Sequence, residues 1–104
     1  MAWTSKKLFQ GALSNSAGAK FTNTNGKTAQ VCEIYLVNTG TVARTVTLYA
    51  HGTAAANTIA VLSIDAGGCV ILQDLKIILT GTEVLAAKQD TGTDVIMIGL
   101  SILN

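Results

Sequence analysis

Glycine-centred breaks punctuate the chain at Asn25-Gly26, Thr39-Gly40, His51-Gly52, Ala66-Gly67-Gly68, Thr80-Gly81 and Thr91-Gly92, spaced 14, 12, 15, 14 and 11 residues apart. There is no proline, so glycine is the main punctuation. Short segments between regular turn signals are the rhythm of an all-β sandwich or barrel. No motif recurs from one segment to the next, which excludes a solenoid.

Inside the segments Val, Ile and Thr dominate and alternate with period two, the pattern of a pleated strand and a poor one for a helix. Gln30–Asn38 predicts a strand with Cys32, Ile34 and Leu36 inward and Val31, Glu33, Tyr35 and Val37 outward. Arg44–Ala50 predicts another, with Val46, Leu48 and Ala50 inward and Thr45, Thr47 and Tyr49 outward. The short link Asn38-Thr39-Gly40-Thr41 predicts that these two pair as a hairpin. Further strands are expected at Trp3–Gln10, Ala19–Thr22, Ile59–Ile64, Cys69–Leu75 with an extension toward Leu79, Glu83–Gln89 and Val95–Leu103. Ala54-Ala55-Ala56 could form a helical turn, but a loop is expected over Thr53–Asn57. The expected fold is thus an antiparallel β-sandwich of about eight short strands, jelly-roll-like. Residues 1–18 form an N-terminal strand or arm with its link, and residues 19–104 the sandwich domain.

A chain of 104 residues and 10.7 kDa has room for one such domain, with about 5,500 Å² of surface when folded. Hydrophobic residues make up 49% and charged residues only 12%, half the usual share for a soluble domain. The formal charge of +1 excludes the strong basic field that nonspecific nucleic-acid binding needs. The N-terminal apolar run is broken at Gln10 and again at Ser14–Ser16, unlike a signal peptide, and no apolar stretch is long enough to cross a bilayer. Cys32 and Cys69 are too few and too far apart for a zinc site or a redox pair. They read as buried free thiols, with a disulfide between neighbouring strands as the alternative.

No residue pattern specifies a reaction or a cofactor. His51 is the only histidine and has no sequence-defined partner, so it reads as a loop residue. The six carboxylates, Glu33, Asp65, Asp74, Glu83, Asp90 and Asp94, are scattered over strands and turns. Asp90-Thr91-Gly92-Thr93-Asp94 lacks the further ligands of a calcium loop and reads as a glycine turn with an aspartate bonded to local backbone. Gly26-Lys27-Thr28 shares three letters with the phosphate-binding loop but lacks its first glycine, position 21 being Phe21.

Apolar residues occupy both faces of several strands: Val95, Met97 and Gly99 oppose Ile96, Ile98 and Leu100, while Val70 and Leu72 oppose Ile71. One face fills a core, and the other calls for a cover, which points to a homo-oligomer. Trp3, Lys6, Lys7 and Phe9 precede the small-residue link Gly11–Ala19 and could form an arm that reaches a neighbour; an edge strand of the same subunit is the equal alternative. Together with Tyr35 and Tyr49 they are the expected protein contact residues.

Three segments form one larger pattern: Gly26 to Asn38, with its Val31-Cys32-Glu33-Ile34-Tyr35-Leu36-Val37-Asn38 strand, then Val46-Thr47-Leu48-Tyr49, then Gly81-Thr82-Glu83-Val84-Leu85-Ala86. Over residues 26 to about 102 this resembles the small β-rich virion proteins of tailed bacteriophages and prophages. Thr82-Glu83 stands where that group usually has an Asp after the glycine, and the middle loop differs. The resemblance implies a non-enzymatic virion component, either a capsid decoration (cement) protein or a tail, baseplate or fibre-associated one. For a decoration protein it implies a trimer, with the major capsid protein or other virion proteins as partners and neither nucleic acid nor membrane. A receptor- or carbohydrate-binding module is the competing expectation, and five aromatic residues give it little material.

Overall fold

The computed structural model describes residues 4–103. In chain order the strands are β1 (Thr4–Ala12), β2 (Gly18–Thr22), β3 (Thr28–Asn38), β4 (Arg44–Ala50), β5 (Thr58–Ile64), β6 (Cys69–Leu72), β7 (Ile77–Thr80), β8 (Val84–Gln89) and β9 (Val95–Leu103). A 3-10 turn at Ala55–Asn57 is the one helical element among the described residues, where a loop was expected. Every strand pairing is antiparallel. One sheet has the order β1-β9-β3-β6, with β7 also on β3, and the other has the order β2-β8-β4-β5.

Both sheets contribute to one core. Ile34 and Leu36 of β3, Val46 and Leu48 of β4, Leu85 of β8 and Met97 of β9 belong to a single buried cluster. Complete burial of each such side chain contributes about 1.5–3 kcal/mol, which is why the β-branched and Leu positions decide the inward side of each strand. The folded chain exposes 5423 Å², close to the expectation for a monomer of this mass.

Strand β3 departs from its expected phase. Ala29, Val31, Ile34 and Leu36 are all fully buried, so Val31 points inward and Cys32 does not. The cause is a β-bulge between Val31 and Glu33 in the pairing with β9, which inserts a residue and switches the face of everything before it. The partner on the other side accommodates the same irregularity. The expected single strand from Cys69 toward Leu79 is divided into β6 and β7, which pair with residues 34–37 and 28–31 of β3 in turn. Between them Asp74 takes φ +57, and the Leu75 amide donates to the Cys32 carbonyl at 2.9 Å.

The expected β3–β4 hairpin does not form. β3 is paired on both sides, by β9 and by β6 and β7, while β4 lies in the other sheet between β8 and β5. The link crosses from one sheet to the other, and the buried Asn38 side chain shapes it. Its Nδ2 donates to the carbonyls of Val42 (2.8 Å) and Ile64 (3.1 Å), and its Oδ1 accepts from the Gly40 amide (3.0 Å). Two other buried amides do comparable work. Asn23 Nδ2 donates to the carbonyls of Lys27 (2.8 Å) and Gly81 (3.0 Å), and Gln89 bridges Leu13 and Val95. Peptide groups that leave the ladders at sheet ends thereby keep partners away from water.

The N-terminal segment is an edge strand of the same subunit as far as it is described. β1 pairs with β9 from Thr4 to Ala12, so Gly11 and Ala12 belong to the strand rather than to a link, and Leu13 is buried. Cys32 and Cys69 are free as expected, but neither is fully buried: the bulge leaves Cys32 half-exposed, and Cys69 sits exposed on a sheet edge.

Candidate interaction surface

Residues paired across neighbouring strands share a face, so the register defines what the outside of the β1-β9-β3-β6 sheet presents. Four cross-strand rows run over it: Ser5–Ile102–Gln30–Ile78, Lys7–Leu100–Glu33, Gln10–Ile98–Tyr35–Ile71 and Ala12–Ile96–Val37–Cys69. The central strand β9 therefore carries Ile96, Ile98, Leu100 and Ile102 down the middle of the outer face, all half-buried. Val37, Ile71 and Ile78 lie beside them and remain 40%, 49% and 43% exposed. On its inner side β9 gives Val95 and Met97 to the core, followed by Gly99, which opposes outward-facing Ile98 and Leu100.

The outside of the other sheet is different. Its rows are Thr45–Ser63, Lys88–Thr47–Val61 and Ala19–Ala86–Tyr49. Threonine, alanine and one lysine predominate there, with large exposed apolar residues confined to edge strand β5, at Ile59 and Val61. The apolar second face inferred from the sequence is thus concentrated on one side of the molecule.

Polar groups frame the aliphatic stripe. Lys7 Nζ donates to Gln10 Oε1 at 3.0 Å along β1, and the Tyr35 hydroxyl donates to Glu33 Oε2 at 2.7 Å along β3. The bond to Glu33, helped by its negative charge, raises the Tyr35 phenol above its ordinary value of 10.0. An open depression of about 420 Å³ lies here, lined by Lys7, Glu33, Cys32 and Leu100 among others. It is a shallow feature of the surface, with no buried acid–base pair in it.

The expected contact residues scatter over three environments. Lys7 and Tyr35 lie on the aliphatic face, and Lys6 is exposed on β1. Phe9 packs against the core, because a bulge between Lys7 and Phe9 reverses the strand phase, and the Lys20 ammonium sits 5.4 Å from its ring centroid. Tyr49 was expected on a less buried face, but it is only 5% exposed, held in central strand β4 between Ala86 and Thr58. Trp3 lies outside the described residues. The sequence reading missed the side chains that dominate the face, Ile96, Ile98, Leu100 and Ile102. Their signal was present as unbroken aliphatic alternation in Val95–Leu103, yet choosing the outward set required knowing that β9 is central.

A second polar cluster closes one end of the molecule. Arg44 Nη2 lies 2.7 Å from Asp94 Oδ2, with Nε at 3.1 Å from the same oxygen, and Nη1 donates to Thr91 Oγ1 at 2.6 Å. Asn15 Nδ2 donates to the Gly92 carbonyl at 2.9 Å, and Thr39 Oγ1 to the Asp94 carbonyl at 2.8 Å. As expected of a glycine turn, Asp90 accepts from the Thr91 amide, and this bond holds its carboxyl below the usual value. The backbone there needs glycine, since Gly92 has φ +77. Gly40 is needed for space instead, because a β-carbon on it would overlap the Asp94 carboxylate. Gly40→Ala is expected to displace Asp94 from Arg44 and cost about 1–2 kcal/mol, read as a lower urea midpoint with unchanged slope. An unchanged midpoint would show that the cluster carries no stability.

His51 lies at the far end of β4 with φ +74, and its Nε2 donates to the Ile78 carbonyl at 2.8 Å, which fixes the proton on Nε2. Glu83 accepts from the Thr80 amide at 2.9 Å, and this holds its carboxyl below the usual range. Among the described residues no three His, Cys, Asp or Glu side chains gather into a group that could hold a metal.

No family model matches the chain, and neither a curated protein nor a solved structure does.

Proposed function

We propose that the chain is a non-enzymatic structural protein of a tailed-phage virion, a small capsid decoration protein that stabilises the head shell through protein contacts. The observation that carries the assembly reading is the aliphatic outer face, where Ile96, Ile98, Leu100 and Ile102 run down the middle of a sheet flanked by exposed Val37, Ile71 and Ile78. A contiguous apolar face of this kind is costly on a free monomer and gains when a neighbour covers it. At about 25 cal/mol per Å², many repeated modest contacts suffice to brace a shell without any residue doing chemistry. The virion assignment comes from the resemblance of residues 26 to about 102 to small phage structural proteins.

The strand order supports a jelly roll. With β6 and β7 counted as one interrupted strand, the described residues form eight strands, and the two sheets read first-eighth-third-sixth and second-seventh-fourth-fifth. That is the order produced by two nested Greek keys, an architecture widely used in capsid proteins. Its terminal strands lie side by side, β1 against β9.

Co-sedimentation tests the function. The purified chain is expected to pellet with expanded heads of the encoding phage at saturating, symmetry-related stoichiometry, to leave free capsid monomers unbound, and to raise the temperature at which the heads rupture. Binding to tails alone would move it to the tail or baseplate. Binding to neither would remove the virion assignment.

A further inference from the structure

We infer that the aliphatic face pairs with the same face of a second copy, about a two-fold axis running along β9. This deepens the assembly reading above and rests on it: the neighbour that covers the face is a second copy, and a two-fold pair takes the place of the trimer that the resemblance implies. The face is self-complementary. In the row Lys7–Leu100–Glu33 a cation and a carboxylate flank β9 at equal distance, one strand spacing of about 4.8 Å on either side. A two-fold axis lying along β9, in the plane between two facing sheets, carries the β1 side of one copy onto the β3 side of the other. Lys7 of each copy then meets Glu33 of its mate, while Leu100 meets Leu100 and Ile98 meets Ile98. The next row behaves the same way: the Gln10 amide faces the Tyr35 hydroxyl across the aliphatic centre.

Aligned sheets cross at about 30°, so the two middle rows keep this register while the ends of β9 diverge. Three strands by nine residues give roughly 430 Å² of projected face per copy, and with the corrugation of long side chains about 1,000 Å² per pair. That is the small end of specific interfaces, so the dimer is expected to dissociate in the micromolar range and to be held in register by its charges. The outer face of the other sheet has no such pairing of opposite charges, its one lysine row being Lys88–Thr47–Val61.

Native mass against concentration, by sedimentation equilibrium, is the test. The full chain is expected to approach twice 10.7 kDa as its concentration rises from about 1 to 100 μM. Lys7→Glu and Glu33→Lys each place like charges opposite one another twice per dimer, and each is expected to weaken association roughly tenfold. The double variant restores the pairing with its polarity reversed and is expected to recover the original affinity. Circular dichroism reports whether each variant is folded, and both positions are at the surface. A monomer at 100 μM, a trimer, or single variants that dimerise as well as the original chain would overturn the proposal, as would a double variant that stays weak. A dimer that fails to sediment with phage heads would leave the pairing intact and remove only the decoration reading.

Discussion

Val31→Asp is expected to abolish folding, while the same substitution one residue later, Cys32→Asp, is expected to be tolerated. Val31 is fully buried beside Ile34 and Leu36, so a carboxylate there loses the valine contacts and must be buried without a partner or protonated. The expected loss is about 4–6 kcal/mol, comparable with the whole stability of a domain this size. Cys32 sits at the bulge, half-exposed, and its thiol donates to the Gln30 carbonyl at 3.5 Å. A carboxylate there reaches water, and the expected loss is about 1 kcal/mol or less. Circular dichroism at neutral pH reads the loss of the fold in Val31→Asp, and urea unfolding reads the value for Cys32→Asp. The contrast depends entirely on the bulge between Val31 and Glu33: an unbroken strand would reverse it, and a reversed result would remove the bulge from the account of β3.

The second large effect is expected at Gln89. Its side chain is fully buried at the end of β8, with Nε2 donating to the Leu13 carbonyl at 2.5 Å and Oε1 accepting from the Val95 amide at 3.3 Å. Those two peptide groups lie on segments that leave β1 and enter β9, and Leu13 is itself tied to Val95 by a backbone bond of 3.0 Å. Gln89→Leu keeps the volume but strands a buried carbonyl and a buried N–H. Each unpaired group costs about 1–2 kcal/mol, so the expected loss is about 2–4 kcal/mol. In a domain of this length that lowers the melting temperature by roughly 10–25 °C. Calorimetry that finds a shift of under about 3 °C would mean that water satisfies both groups and that Gln89 is not a structural link.

Neither of these two sites is legible in the sequence. Val31 and Cys32 are both apolar, and in an unbroken period-two strand either set can face inward; neighbouring Ile34 and Leu36 fixed the phase at one end and the bulge changed it at the other. Gln89 reads as an ordinary polar residue at the end of a strand. Its role depends on Leu13 and Val95, of which the first is 76 residues away. Asn38 has the same character, since its contact with Ile64 is made across 26 residues. The contact residues proposed from aromatic and cationic character fared unevenly for a related reason. Lys7 and Tyr35 reached the outer face, but Phe9 was turned inward by a second bulge and Tyr49 was enclosed in a central strand.

The sequence by itself determined the class of fold, the positions of nearly all the strands, and the existence of a second apolar face. Those properties are local: glycine adopts the left-handed turn conformations at positions such as Gly26 and Gly92 at the least cost, and β-branched residues in alternation leave the chain little alternative to extended backbone. The tertiary structure alone decided that β3 and β4 part into different sheets, that one expected strand breaks into β6 and β7, and that the aliphatic side of β9 lies at the centre of a face. A strand's side chains state which side should be dry, but its backbone amides and carbonyls pair equally well with any strand. Partner choice is settled by the packing of the whole core and by buried amides such as Asn38 and Gln89 that close its corners.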